Sequence, residues 1–298
     1  MLFIDMFMTV LHFVDTTASA PTVTHVIHSA LRVGGVASLG NEVFVVRFNS
    51  QQIDVYNANT FRRKRYIKVQ GLGTSPFGLA ACGTYKCLYA SDRDNDIVHR
   101  VQLSGKNAVT QWSTARQPTG ITVNRDYNPV VVSLGDRKLQ EFTTCGDLLQ
   151  NIQLQTDIEQ PIGVIEVCGD QYAVSYEGSL HRVCLVDVDF VDWKGRGTVL
   201  GRYGTKKGFG LAKLNRPAGL AVDKHGNILV AEEDNDRLLV LDSSLTRAHE
   251  MSVSGGLDGP FSVWYDQSRA RLYIGEYVGG RVLVIDHLED FTADQVYF

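Results

Sequence analysis

One motif recurs at a near-fixed interval along this chain, and that interval restricts the available folds more than any other feature. The tripeptide Pro-x-Gly, or a close variant, begins at Val33, Pro76, Pro118, Pro161, Pro217 and Pro260. Successive copies lie 43, 42, 43, 56 and 43 residues apart. A period of this size with several short strands per unit predicts propeller blades. One such unit cannot bury its own sheet and must stack against its neighbours.

The most complete copy spans residues 215–242. Three short apolar runs are separated by the turn residues Gly226-Asn227 and by Glu232 to Asp236, which predicts an antiparallel meander. Further β-rich runs lie between the repeats, at 65–69, 109–113, 148–154, 198–203 and 249–253. Each blade therefore reads as four antiparallel strands, innermost first. The sixth repeat lacks its own fourth strand. Residues 22–27 are β-branched and precede the first repeat, so this N-terminal strand is expected to close the last blade and remove an open edge. Residues 294–298 are the alternative closing strand. The expected fold class is all-β, a six-bladed β-propeller occupying 21–298 as one domain, with 1–20 as a leader. The long fourth interval holds a Gly/Lys-rich stretch, 192–213, expected to be a loop insertion. Inner strands crowd towards an axis, which explains the glycine of each motif. Ser262 replaces that glycine in the sixth copy and suggests a slightly displaced blade.

In detail, 215–242 resembles an NHL repeat. Pro217, Gly219, Asp223, Gly226, Asn227, Asn235 and Arg237 fit the family pattern, and Glu232 stands where Asp is more usual. The chain is thus similar to the C-terminal propeller of TRIM-NHL (tripartite motif) proteins. That resemblance implies a partner-recognition platform, as in TRIM-type ubiquitin ligases. No Cys/His zinc pattern or heptad run precedes the repeats here, so any ligase activity would need a RING segment from elsewhere. Some NHL propellers bind RNA, and a similar six-bladed lyase holds zinc with histidines around its channel.

The remaining composition tests these implications. With 29 basic and 33 acidic residues the net charge is −4, whereas nucleic-acid domains normally carry a basic excess. Single-stranded RNA is therefore the second reading of the partner, and no DNA partner is expected. The inner strands contain no histidine, and zinc needs three or four converging ligands. No catalytic, metal or cofactor-binding residue is assigned, and a metal-dependent lyase or lactonase is the least favoured function. Five cysteines without a CxxC pair argue against a zinc ribbon, and their odd number argues against a fully oxidised framework. Cys82 and Cys87 flank a predicted turn and are expected to face one another. In 1–20, Ala18-Ser19-Ala20 is like a signal-peptidase site, but a basic n-region is missing and Asp5 interrupts the apolar run. A cytoplasmic location is expected, with secretion as the alternative if 1–20 act as a signal. No membrane span is expected.

Strand parity places the loop after each second strand on the face where the inner strands begin, here termed the mouth. Arg47, Phe48, Arg93, Tyr176, Arg216 and Tyr277 gather there as candidate binding residues, since aromatics and arginines are common interface anchors. Their mixed charge surroundings favour a protein or peptide partner. Glu232 with Arg237, and Glu276 with Arg281, repeat one spacing and are expected to be structural ion pairs. The basic run 62–65 is expected in a loop on the opposite face.

Overall fold

The computed structural model describes residues 21–189 and 196–288. Blade 1 comprises β2 (Val33–Leu39), β3 (Glu42–Arg47), β4 (Gln52–Asn57) and β5 (Arg63–Lys68). Blade 2 comprises β6 (Pro76–Cys82), β7 (Cys87–Asp92), β8 (Ile97–Gln102) and β9 (Val109–Ser113). Blade 3 comprises β10 (Pro118–Val123), β11 (Pro129–Ser133), β12 (Lys138–Phe142) and β13 (Leu148–Gln153). Blade 4 comprises β14 (Pro161–Cys168), β15 (Gln171–Tyr176), β16 (Arg182–Asp189) and β17 (Arg196–Tyr203). Blade 5 comprises β18 (Pro217–Val222), β19 (Ile228–Glu232), β20 (Arg237–Leu241) and β21 (Ala248–Met251). Blade 6 comprises β22 (Pro260–Asp266), β23 (Arg271–Glu276), β24 (Val282–Ile285) and, outermost, β1 (Val23–Ile27).

Each inner strand packs against the next, and β22 packs against β2, so the ring closes. β1 pairs antiparallel with β24, from Val23 opposite Ile285 to Ile27 opposite Val282. The closing strand therefore comes from the N-terminal side. The alternative, 294–298, lies outside the described residues, as does the leader 1–20. The outer edges of blades 3 and 4 touch through one parallel bridge, Gln153 to Arg196.

The core follows from this stacking. Six apolar clusters fill the six spaces between neighbouring blades. Central strands are covered on both faces, so β19 and β20 are buried along their whole length. This is why those strands read as continuous apolar runs rather than alternating ones. Two boundaries differ from the sequence expectation. Arg63 to Arg65 belong to strand β5, because Glu42 on β3 anchors the Lys64 and Arg65 heads beside the sheet. Part of the 192–213 insertion is strand, because β17 extends the hairpin with β16 down to Arg196.

The axis is crowded by backbone. A Cβ added at Gly163 would lie 2.3 Å from the Ala218 carbonyl oxygen, and one at Gly120 would lie 2.6 Å from that of Ile162. In blades 2 and 4 the residue opposite the glycine is a serine, Ser91 or Ser175. Its Oγ accepts the glycine N–H at 2.9 Å and donates to a carbonyl of the next blade. Blade 6 reverses the pair: Ser262 is on the inner strand and Gly275 stands opposite. A Cβ on Gly275 would lie 2.3 Å from Ser262 Oγ. The space for Ser262 thus comes from a neighbouring glycine.

Candidate functional site

The same backbone hydrogen bond builds the mouth in all six blades. The residue following the second strand donates its N–H to the carbonyl of the residue preceding the inner strand. The pairs are Phe48 to Arg32, Arg93 to Ser75, Leu134 to Gln117, Glu177 to Gln160, Glu233 to Arg216 and Tyr277 to Gly259, at 2.7–3.4 Å. Three of the accepting residues, Gln117, Gln160 and Arg216, have φ between 47° and 56°. A non-glycine residue held in that region stores local strain. Closer to the axis lies the middle residue of each Pro-x-Gly, namely Gly34, Phe77, Thr119, Ile162, Ala218 and Phe261.

These positions divide the mouth into two halves. On the side of blades 6, 1 and 2 four rings meet. Phe48 presents edge-to-face contacts to Tyr277 at 5.0 Å, Phe77 at 5.8 Å and Phe261 at 6.1 Å, and Phe77 meets Phe261 at 5.0 Å. Ile162, Ala218 and Leu134 extend this apolar floor. Cations sit over its rim. The Arg32 guanidinium lies 4.5 Å from the Tyr277 ring centre and donates to its hydroxyl at 2.8 Å, and Arg93 lies 5.4 Å from the Phe77 ring centre. Such contacts contribute about 0.5–1 kcal/mol at exposed sites.

On the side of blades 4 and 5 the mouth is ionic. Arg216 reaches Glu177 at 3.3 Å, Glu233 at 2.9 Å and Asp234 at 3.6 Å. Glu233 opens a 3-10 turn, Glu233–Asn235, and is 3% exposed. Burial raises its carboxyl to a pKa of about 7; Arg216 opposes the rise, and Asp234 and Glu177 add to it. His181 is held below its usual pKa, chiefly by burial, and its Nδ1 accepts the Arg216 N–H at 2.8 Å.

Above blade 5 the 204–213 connection carries Phe209, 75% exposed. Its base is pinned by Asn235, which donates to the Gly208 carbonyl at 3.0 Å, and by Arg237, which donates to the carbonyls of Gly210 and Lys213 at 3.0 and 3.1 Å. Arg237 also pairs with Glu232 at 2.6 Å, and Arg281 with Glu276 at 2.5 Å. Both pairs expected from spacing are therefore present. Glu232 and Glu276 also accept a backbone N–H from the preceding linker, that of Asn215 at 2.6 Å and Asp258 at 2.9 Å. The glutamates thus hold the linker as well as the loop.

Of the six candidate binding residues, Phe48, Arg93, Arg216 and Tyr277 share the mouth. Arg47 and Tyr176 do not belong to its surface. Arg47 is buried, paired with Asp54 at 3.2 Å and donating to the carbonyls of Leu31 and Gly280. It thereby joins blade 1 to blade 6. Tyr176 packs in the core between blades 3 and 4. Both are last residues of a second strand, one position before the mouth ring, so their side chains turn into the blade. Phe77 and Phe261 were absent from that set. Their shared place, the middle position of the repeat motif, is the sequence signal that would have found them.

The axial channel is walled by the inner strands and offers a cavity of about 60 Å3. Pockets for small ligands are about 300–1,000 Å3, so the channel itself is too narrow for a metabolite. Among the described residues no three His, Cys, Asp or Glu side chains converge as a metal site, and no helix is long and apolar enough to cross a membrane.

The NHL repeat family matches residues 214–243. That match falls on blade 5, which is thus similar to an NHL repeat. The chain is also similar in structure to virginiamycin B lyase from Staphylococcus aureus, with a TM-score of 0.64 at 9% identity over 91% of this chain and 86% of that one. A protein of unknown function from Bacteroides thetaiotaomicron gives 0.69 at 14% identity over 90% and 75%. Hydrazine synthase of Kuenenia stuttgartiensis gives 0.61 at 15% over 89% and 98%. At these identities the likeness is one of fold. No functionally curated protein matches the chain in sequence.

Proposed function

We propose that this propeller is a non-catalytic scaffold that holds a protein or peptide partner on its mouth face. One observation carries the reading: the half-buried floor of Phe48, Phe77 and Tyr277, closed below by Phe261 and bordered by Arg32 and Arg93. An apolar centre with a polar, arginine-bearing rim has the composition of a protein interface. The rigid ring beneath fixes these side chains in place, which lowers the entropic cost of binding. The NHL repeat in blade 5 supports a role as the substrate-recognition part of a TRIM-like ubiquitin ligase, with the RING supplied elsewhere. Single-stranded RNA would bring phosphates against Glu177, Glu233 and Asp234, which disfavours it.

The test replaces Arg32, Arg93 and Tyr277 singly by Ala and follows capture of partners together with melting temperature. The expected result is loss of a common set of partners with melting within a few degrees of wild type. Retention of every partner by all three variants overturns the reading. Salt-sensitive binding of a short single-stranded RNA, lost in the same variants, replaces it with the RNA one.

A further inference from the structure

Three carboxylates in the ionic half of the mouth share one guanidinium. Glu233 Oε1 takes its bond from Arg216, while Oε2 is buried without any hydrogen-bond partner. Buried carboxylate oxygens in folded proteins almost always have a donor. The deficit here is therefore one of donors, and a second positive charge would satisfy it. The surrounding groups do not supply one. Asp234 and Glu177 are like charges, Arg32 acts only at longer range, and Lys207 is 4.0 Å from Asp234. The neighbouring His181 uses Nδ1 as an acceptor.

The adjacent position in blade 6 is Tyr277, whose ring already carries one guanidinium, that of Arg32. Carboxylate on one side and aromatic face on the other is the combination that holds a planar cation. We propose that this corner of the mouth is a subsite for an arginine side chain of the bound peptide, received between the Glu233 and Glu177 carboxylates and the Phe261–Tyr277 rings. The subsite rests on the peptide-binding reading and specifies the chemistry of the partner. Arg216 keeps its bonds to Glu233 Oε1 and Glu177, and the ligand guanidinium supplies the missing donor at Glu233 Oε2.

The subsite is pH-dependent. The charged form of Glu233 is the binding form, and its pKa is about 7. Arginine affinity therefore rises as pH increases from 6 to 8, by about tenfold for one group titrating at mid-range. Binding releases a proton, because the new cation lowers the Glu233 pKa.

The experiment titrates the isotope-labelled chain with blocked Gly-Phe-Arg-Phe-Gly and with the same peptide carrying citrulline, at pH 6 and pH 8, observed by NMR. Citrulline keeps the shape of arginine and removes its charge. The expected result is that the arginine peptide shifts the Glu177, Glu233 and Tyr277 amides and binds about tenfold more tightly at pH 8. Citrulline is weaker, and Glu233→Gln removes both the preference and the pH dependence. Equal binding of the two peptides, an unchanged pH profile in Glu233→Gln, or no response to either peptide overturns the subsite. The Arg93→Ala variant, over Phe77 and outside the subsite, reports on the peptide-binding reading independently. Loss of partners in that variant alongside equal binding of arginine and citrulline removes the subsite and leaves the scaffold reading standing.

Discussion

Replacing Gly163 by Ala tests whether backbone crowding at the axis sets the shape of the ring. The new Cβ would lie 2.3 Å from the Ala218 carbonyl oxygen and 2.7 Å from Ser175 Oγ. Ordinary van der Waals contact begins near 3.4 Å, so the carbonyl must retreat by about 1 Å. That carbonyl belongs to the inner strand of blade 5 and cannot move alone. The displaced Ser175 hydroxyl bridges the two blades, accepting from Gly163 N at 2.9 Å and donating to Ala218 O at 2.5 Å. Overpacking costs about 1–3 kcal/mol, and two weakened hydrogen bonds add about 1 kcal/mol each. The expected loss is about 3–5 kcal/mol. It lowers the melting temperature by about 10 °C in a chain of this size. Gly83→Ala is the matched control. A Cβ there meets only Leu39 Cδ1 at 3.4 Å, and Gly83 is not in the left-handed region. Its effect should stay within about 1 kcal/mol and be of either sign. Urea unfolding of both variants, followed by circular dichroism, provides the comparison. A Gly163→Ala loss no larger than that of Gly83→Ala would refute the claim that axial glycines are required by packing.

Three further outcomes follow from the same architecture. Arg237→Met leaves Glu232, fully buried, without its cation, and should cost about 3–5 kcal/mol in urea unfolding. Arg281→Met should cost less, since Arg281 is 31% exposed and water can replace it; equal losses would contradict this ordering. Removing residues 21–28 uncovers the β24 edge, so size-exclusion chromatography should show dimers or larger species, and a stable monomer would show that β1 is dispensable. In native protein treated with iodoacetamide, mass spectrometry should find Cys145 and Cys168 modified first, because both are exposed. Cys82 and Cys87 face one another across the hairpin and are buried, and burial raises the Cys87 thiol above its usual pKa, so their labelling should require unfolding.

The blade count, the strand order and the N-terminal closure were all legible in the sequence, for one physical reason. A repeated unit must satisfy the same packing at every copy, so its constraints recur at a readable period. The Glu232–Arg237 and Glu276–Arg281 pairs were legible on the same ground. The candidate site was only partly so. Strand parity brought Phe48, Arg93, Arg216 and Tyr277 to one face, yet it could not separate Phe48 from its chain neighbour Arg47, whose side chain turns into the blade 1–6 junction. Nor could it show that Phe77 and Phe261, far apart in the chain, meet at the axis with Phe48 and Tyr277. In sequence Arg216 was one cation among mixed charges on the mouth; closure of blade 5 on blade 4 makes it the shared partner of Glu177 and Glu233. Local periodicity encodes what each blade does alone. What converges on the axis depends on six blades meeting there, and only the closed ring decides it.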